Sequence, residues 1–433
     1  MKVLVIGGGI GGLTTALSLH AAGIEVAVFE QVPRIEALGV GINLQPNAVR
    51  ELIELGLSDD LKAVAIETST LTYYNRFGQP IWSEPRGLAA GYAWPQYSID
   101  RGDLNMILLT AAASRIGAHN IHAGHKLVAF KQADGGVVAQ FVDRATGRTL
   151  PSQRGDVLVG ADGIHSAVRA QLYPDEGAPV SSGRIQWRGV IEAEPFLDGR
   201  THVTIGSRDS RAVIYPMSEA ARRQGRSLIN WVTVLGRQMA SDQPGTWDRT
   251  ASKDRFFARF KDWNFDWIPF ADLIARTKEI FEYPKDDRNP LPRWSVGRVT
   301  LLGDAAHPMR PIGSQAGSQA VVDARVLALA LATAPTIADG LKAYERERLP
   351  LMNNVILRNR EFGPSIIMDM AQERAPSGFT DIEEVIPRRE LEEIAHSFKV
   401  TAGFDPETLN KRASYDVPPY LRYGGRSHAS GNP

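Results

Sequence analysis

The sequence predicts an α/β protein: an open, Rossmann-type parallel sheet into which a second, antiparallel sheet is inserted, followed by helices. Three observations predict it. Three short apolar runs each end in a turn carrying glycine and an acid. A stretch between Ser181 and Tyr283 alternates β-branched, aromatic and polar residues. After Gly340 the apolar residues recur at helical spacing. At 433 residues the chain is also longer than one core usually holds, so two lobes are expected.

The first run is Val3–Ile6, of buried-strand type. It leads into Gly7, Gly9 and Gly12, in G-x-G-x-x-G spacing. "LTTALSLHAAG" follows with helical periodicity and a glycine stop at Gly23, and "EVAVFE" is a second strand ending in Glu30. The three glycines act mechanically. Gly7 permits the tight turn, Gly9 lets the backbone approach a pyrophosphate, and Gly12 lets helix and strand pack closely. The helix N-terminus offers unpaired N–H groups to phosphates, and an acid at the end of the second strand accepts hydrogen bonds from a ribose. Strand, helix, strand and acid in this order make a Rossmann-type nucleotide site. Glu30, rather than a basic residue, argues against a bound 2′-phosphate and leaves NAD and FAD open.

The second cluster is "VLVGADGIHSAVR": Val157–Val159 reads as a buried strand, Asp162-Gly163 as the turn, and Ser166 to Arg169 as a helix start. The third is "RVTLLGDAAHPMRPIGSQAG", with Val299–Leu302 as the strand and Gly303-Asp304 as the turn, before a long apolar helix from about Gly317. Open α/β sheets bind ligands at such carboxyl ends. Between these clusters, "RIQWRGVIEAE", "THVTIG", "RAVIYPMS" and "SLINWVTVLG" suggest an antiparallel sheet, and "LTYYNRFGQPIWSE" another hairpin of it. The expected division is a nucleotide lobe of residues 1–70, 100–180 and 284–375, a substrate lobe of 71–99 and 181–283, and a C-terminal helical extension and tail of 376–433. The Pro/Gly/Ser-rich end of that tail reads as disordered.

Composition narrows the function classes. Lys+Arg and Asp+Glu are 49 each, for a formal net charge of zero, so bulk charge draws the chain to neither nucleic acid nor an anionic membrane. Cysteine is absent, which excludes disulfides, thiolate-ligated clusters, a catalytic thiol and a cysteinyl cofactor link. Lys2–Ile6 shows no signal-peptide pattern, and the apolar stretch from Val321 is interrupted by Asp323 and Arg325 and is too short to span a bilayer. A soluble cytoplasmic protein, monomer or homodimer, is expected.

Gly7-x-Gly9-x-x-Gly12 with Glu30, then "GADGIHSAVR" (160–169), then "LLGDAAHPMRPIG" (301–313), resemble the single-component flavoprotein aromatic hydroxylases, the family with the para-hydroxybenzoate hydroxylase fold. The resemblance covers roughly residues 1–360. "LGVGINLQPNAV", "WRGV" and "YPKDDRNPLPRW" are similar to the phenazine-hydroxylating members. The resemblance implies non-covalent FAD, NADH or NADPH as a transient co-substrate, O2, and hydroxylation of a phenol, aromatic carboxylate or phenazine through a flavin C4a-hydroperoxide. It implies that Gly7, Gly9, Gly12 and Glu30 hold the ADP half of FAD. Arg101 would meet the ribityl–phosphate region, and Asp162 would serve FAD and the NAD(P)H path. Gly303-Asp304 would take a ribityl hydroxyl, and Pro311, Gly313 and Gly317 would present a helix N-terminus to the flavin N1/O2 edge. Val40, Gly41 and Ile42 would border the isoalloxazine ring, and the Leu127 backbone would meet adenine. One departure stands out: the family commonly carries a second glycine three residues after the one matching Gly313, where this chain has Ala316 followed by Gly317.

Only one dinucleotide fingerprint exists, which fits a nicotinamide that visits a mobile flavin and leaves. The substrate lobe should then form an apolar lid with few polar groups. Tyr215 is the candidate substrate base, on one strand face with Arg211 and Val213, and Arg211 is the candidate carboxylate partner. The alternative for Tyr215 is a packed sheet residue. His307 reads as a structural residue satisfying backbone groups at a helix start, His119, His122 and His125 as surface or strand residues rather than metal ligands, Tyr73 and Tyr74 as hairpin faces, and "YERER" (344–348) as a solvated helix with local ion pairs. Three rival functions compete with this one. "WNFDWIP" has its tryptophans in the wrong register for a flavin halogenase. An oxidase or epoxidase acting on a non-aromatic secondary metabolite stays open. A non-catalytic nucleotide-binding regulator conflicts with the intact Asp162 and Asp304 turns.

Overall fold

Five short strands form a parallel sheet in the order Val299–Leu301, Val157–Gly160, Lys2–Ile6, Glu25–Phe29, Ile121–His122. Val3, Leu4, Val5, Val157, Leu158 and Val159 are fully buried, as apolar runs of a sheet covered by helices and by a second, smaller sheet should be. The computed structural model describes residues 1–36, 39–207, 209–236, 249–361 and 363–421. The tail expected to be disordered lies, beyond Leu421, outside the described residues. Ile6 pairs with Gly160, and Gly160 with Leu301. The three glycine–acid turns, far apart in sequence, therefore emerge side by side from one sheet edge.

The helices Ile10–Ala21, Arg101–Ile116 and Ala316–Thr333 cover this sheet. Asp100 caps the second, accepting from the N–H groups of Gly102 (2.7 Å) and Asp103 (3.3 Å). Two smaller sheets flank it. Gly41–Leu44, Tyr97–Asp100 and Ile66–Glu67 form one. His125–Ala133, Gly136–Asp143 and Thr149–Gly155 form an antiparallel meander that sequence reasoning did not single out.

The eight-stranded sheet runs Arg249–Thr250, Ile280–Asp287, Val180–Ala193, Ser227–Gly236, Ser210–Pro216, Thr201–Gly206, Thr70–Tyr74, Pro80–Pro85. The hairpin from residues 70–85 joins it at one end. Its neighbour Thr201–Gly206 pairs in parallel with Thr70–Tyr74, because the chain leaves for the nucleotide lobe between them. Ile280–Asp287 runs across the expected lobe boundary at 283/284. One face of this sheet packs an aromatic core of Trp187, Trp231, Phe256, Phe260 and Phe270, with Trp263 and Trp267 of the "WNFDWIP" segment beside it. The other face turns towards the nucleotide lobe.

The helix Ile337–Arg360 corrects the reading of 344–348 as a solvated face. Tyr344 is fully buried and donates to the Leu301 carbonyl (3.0 Å), and Glu345 accepts from the N–H groups of Trp294 and Ser295 (2.7 Å each). Buried Arg348 donates to Asp323 (2.7 Å). Leu341, Tyr344, Arg348 and Met352 make one inward stripe at helical spacing, two of whose members are polar. His122 stacks on Phe29, with ring centroids 4.7 Å apart, inside the nucleotide lobe. No group of three or more His, Asp or Glu placed to hold a metal ion occurs among the described residues, nor does any helix long and apolar enough to cross a membrane.

Candidate active site

A cavity of about 600 Å³ lies between the carboxyl edge of the parallel sheet and the inner face of the large sheet. The edge contributes Gly7, Gly9, Glu30, Asp162, Gly303 and Asp304. Gly41, Ile42, Arg101, Leu127, Pro311, Gly313 and Gly317 line it as well, and so do Arg211 and Tyr215 from the large sheet. Of the residues singled out in the sequence, Gly12 and Val40 do not line it. Gly12 packs against the Gly7 carbonyl, and the Val40 carbonyl accepts the Arg101 N–H (2.8 Å).

The nucleotide end is built from backbone. Glu30 accepts from the Gly8 N–H (2.7 Å) and the Val32 N–H (2.9 Å), which fixes its carboxylate at the mouth of the glycine turn. The helix Ile10–Ala21 has Gly9 as its N-cap, so no side chain covers its first N–H groups, and Gly9, Ile10 and Gly11 face the cavity. The helix Ala316–Thr333 likewise starts without a side-chain cap and turns Ala316, Gly317 and Ala320 to the cavity. Its approach loop is held by the Gly313 carbonyl, which accepts from Gln315 (2.9 Å) and Gln45 (3.3 Å). Ser314 sits there at φ +54°, and at Gly317 a Cβ would meet Ile42 at 2.7 Å. Glycine thus sits at 317, rather than 316, because the Ile42 side chain closes in on that position.

The two acidic turns differ. Asp162 accepts from the Ser166 hydroxyl (2.5 Å) and from the N–H groups of Ala167 (2.7 Å) and Val168 (3.3 Å), so its carboxylate caps the helix Ala167–Leu172. Asp304 opens into the cavity space while sitting deep in the protein. Burial pushes its carboxyl up, against the pull of His307 and Arg101. Beneath it, Asp323 accepts from the Gly303 N–H (3.1 Å), His307 Nε2 (2.5 Å) and Arg348 Nε (2.7 Å). Burial raises the Asp323 carboxyl, but His307 and Arg348 outweigh it and hold it at about 2. His307 is structural, as expected, but through a carboxylate rather than backbone. Sequence reasoning misses Asp323 and Arg348 because each looks like a charge on a helix surface. Arg169, buried, donates to the Ala305 (3.0 Å) and Ala306 (2.9 Å) carbonyls and ties the second glycine cluster to the third.

The large-sheet face corrects the expected apolar lid. Arg86, Arg188, Arg211, Lys285, His202, Gln186 and Tyr73 line the cavity among Val213, Val232 and Val234. Tyr73 therefore belongs to the cavity, whereas Tyr74 points to the opposite face and stacks on Trp267 (4.7 Å). Arg188 donates to the Gly41 carbonyl (2.6 Å), Asn230 accepts from the Gly41 N–H (2.8 Å), and a Cβ on Gly41 would touch the Tyr215 ring at 2.6 Å. Strand Gly41–Leu44 is thus the seam between the lobes. Burial pushes the Tyr215 phenol up, with Arg188 opposing. Tyr215 lies beside His202 (ring centroids 5.1 Å), whose imidazole burial and Arg86 push down to about 3. Tyr215 is thus a protonated hydroxyl and His202 a neutral ring near pH 7. Strand alternation from Arg211 would have found His202, Arg188 and Thr204, but nothing in the sequence shows which face meets the cavity.

The cavity suits a flavin dinucleotide. Two uncapped helix N-termini, an acid beside the glycine turn and a cationic Arg101 near Asp304 are partners for pyrophosphate, ribose and ribityl groups. Comparisons agree. Residues 1–359 match the family model described as "FAD binding domain". The chain is 43% identical over 364 residues to a phenazine 1,6-dicarboxylic acid hydroxylase of Lysobacter antibioticus, covering 83% of this chain and 89% of that protein. It is 35% identical over 373 residues to a 3-amino-4-hydroxybenzoate 2-monooxygenase of Streptomyces platensis, covering 84% and 87%. Its fold matches Klebsiella pneumoniae HpxO, solved with FAD and uric acid, at TM-score 0.73 and 24% identity, over 94% of this chain and 96% of that one. With the sheet edge, the uncapped helices and the match over residues 1–359 in agreement, the chain belongs to the FAD-binding-domain family of flavin-dependent aromatic hydroxylases.

Proposed function

We propose that this FAD-dependent aromatic monooxygenase hydroxylates a fused-ring aromatic carboxylate of the phenazine type, with NADH or NADPH and O2 as co-substrates. The observation that carries the reading is the single cavity joining an FAD-type sheet edge to a cationic face of the large sheet. A cationic face suits an acidic aromatic better than a neutral one, and the relative of Lysobacter antibioticus is named for a phenazine dicarboxylic acid.

In this reading Gly7, Gly9 and Glu30 hold the ADP half of FAD, Gly12 lets the helix pack against their turn, and the Leu127 backbone lies at adenine. Arg101 and Asp304 hold the ribityl chain. Gly41, Ile42, Pro311, Gly313 and Gly317 border the ring, and Val40 lies behind them, its carbonyl accepting the Arg101 N–H. Asp162 contributes by fixing its turn. When bound and reduced by the nicotinamide, FAD supplies the activation of O2. The chain does the rest. The N-terminus of helix Ala316–Thr333 favours negative charge on whatever lies before it. The Tyr215 hydroxyl, kept protonated by burial, orients a polar substituent by donating to it, and Arg211 pairs a carboxylate. Val213, Val232 and Val234 exclude water from the ring between them. The protein works in the cytoplasm, as a monomer or homodimer, without nucleic acid or membrane.

The test uses FAD-loaded protein, following NADH and NADPH oxidation in air across phenols, aromatic carboxylates and phenazines and weighing products formed under labelled O2. The expected result is substrate-stimulated turnover with one labelled oxygen in a phenazine carboxylate. Flavin reduction with peroxide release, and no labelled product from any aromatic, would overturn the reading.

A further inference from the structure

Charge is divided along the cavity. Its acids, Glu30, Asp162 and Asp304, all stand at the nucleotide edge, and the large-sheet face carries Arg86, Arg188, Arg211 and Lys285 with no carboxylate among the lining residues. Arg86, Arg188 and Arg211 each interact within the protein. Arg86 pairs with Glu84 (2.7 Å), and Arg188 donates to the Gly41 carbonyl. Lys285 differs. It is 6% exposed, lines the cavity, and makes no hydrogen bond or ion pair among the described residues. Burial, with Arg211, Arg184 and Arg310 nearby, pushes its ammonium down to about 7. Arg310 is itself paired with Asp287 (3.3 Å).

A buried ammonium without an anion costs stability, and a nearby arginine cluster raises that cost. Packing alone would be served as well by methionine. The missing partner is an anion brought in from outside, and the cavity that Lys285 lines gives it access. Position limits what the anion belongs to. From Ile280–Asp287 the sheet order is Val180–Ala193, Ser227–Gly236, Ser210–Pro216. Three strand spacings across the sheet, and about six residues along it from the row of Tyr215, Asn230 and Val190 beside Ile280, put the Lys285 backbone roughly 25 Å from that of Tyr215, which sits at the seam with Gly41. A ligand reaching from the seam to Lys285 is longer than one benzoate ring.

We propose that Lys285 forms an anion subsite at the end of the cavity far from Gly41, beyond the carboxylate that Arg211 pairs, and that it holds a second acidic substituent of the substrate, so that the enzyme selects aromatic dicarboxylates over monocarboxylates. This rests on the reading of the cavity as the site of a fused-ring aromatic acid. It adds which residue recognises the second acid and predicts a preference within that class.

The experiment compares phenazine-1,6-dicarboxylate with phenazine-1-carboxylate on the FAD-loaded wild type, Lys285→Gln and Lys285→Arg. The readout is the ratio of their kcat/KM values, with the flavin content of each variant checked first. Removing a charge-assisted partner should lower the ratio roughly 10- to 100-fold in Lys285→Gln, and Lys285→Arg, which keeps the charge, should recover most of it. A ratio within about twofold of wild type in Lys285→Gln overturns the subsite. If the wild type hydroxylates neither acid, the reading of the reaction fails separately. Titrating the flavin absorbance with the dicarboxylate, for wild type and Lys285→Gln, then decides the subsite alone: equal affinities overturn it, and weaker binding to the variant supports it.

Discussion

The two walls of the cavity are made differently. The nucleotide wall is a set of turns in which backbone and glycine do most of the binding, with side chains such as Glu30 locked by neighbouring N–H groups. The substrate wall is a sheet face, where chemistry comes from alternate side chains of six strands and the backbone is taken up by the ladder. A turn can be recognised from a dozen consecutive residues. A face is recognised only when strands separated by a hundred residues are laid side by side. The difference also predicts how each wall fails: substitutions in the first act through geometry, and those in the second through charge.

The largest effect breaks the nucleotide wall itself. At Gly12 a Cβ would stand 1.9 Å from the Gly7 carbonyl oxygen, whereas at Gly9 it would meet nothing within 4 Å. Gly12→Val should give no folded protein by circular dichroism. Gly9→Val should give a folded protein without flavin absorbance after gel filtration, since the space it fills is where the pyrophosphate approaches. A yellow, active Gly9→Val variant would remove the basis for calling this wall a dinucleotide site.

Next comes the support under that wall. Asp323→Ala leaves Arg348 and His307 buried without their carboxylate, and should cost about 3–5 kcal/mol in urea unfolding. The same group predicts an acid limb. Its folded-state value of about 2 lies below the ordinary 3.8, so its contribution is complete above about pH 4 and is lost as pH falls through 2. That contribution is on the order of 2 kcal/mol, and the Asp323→Ala variant should lack this limb.

On the substrate wall the sign reverses. Lys285→Met removes an unpaired buried charge and should raise stability by about 1–2 kcal/mol while damaging turnover of acidic substrates. Because the folded value, about 7, lies below the ordinary 10.5, the cost of charging Lys285 is fully present below pH 7 and relieved as pH rises towards 10.5. Wild-type stability should gain from alkaline pH over that window, and Lys285→Met should not. The smallest effect is at Tyr215. If it is a donor rather than a base, Tyr215→Phe should lower kcat/KM up to about tenfold, the worth of one neutral hydrogen bond, and leave the shape of the pH–rate profile unchanged. Loss of an ionisation from that profile would restore Tyr215 as the base.

Legibility follows the same divide. The glycine turns, the parallel strands behind them and the hairpins of the large sheet can be read locally, because strand and helix periods and turn residues are properties of short segments. Asp323, Arg348 and Tyr344 cannot, because a polar residue on a helix looks the same from sequence whether it meets water or a buried partner. The expected apolar lid failed for a related reason. Alternation along 211–215 gives two faces of each strand, and only docking against strand Gly41–Leu44 decides which becomes cavity wall.

The sequence by itself determined the fold class, the dinucleotide turn and the family, since each rests on local backbone geometry that particular residues permit. Tertiary structure alone decided that Asp162 caps a helix, that Asp323 carries the Gly303 turn, and that Lys285 faces the cavity without a partner among the described residues. Burial and the identity of a charge's nearest neighbour are set by chain segments that meet only on folding.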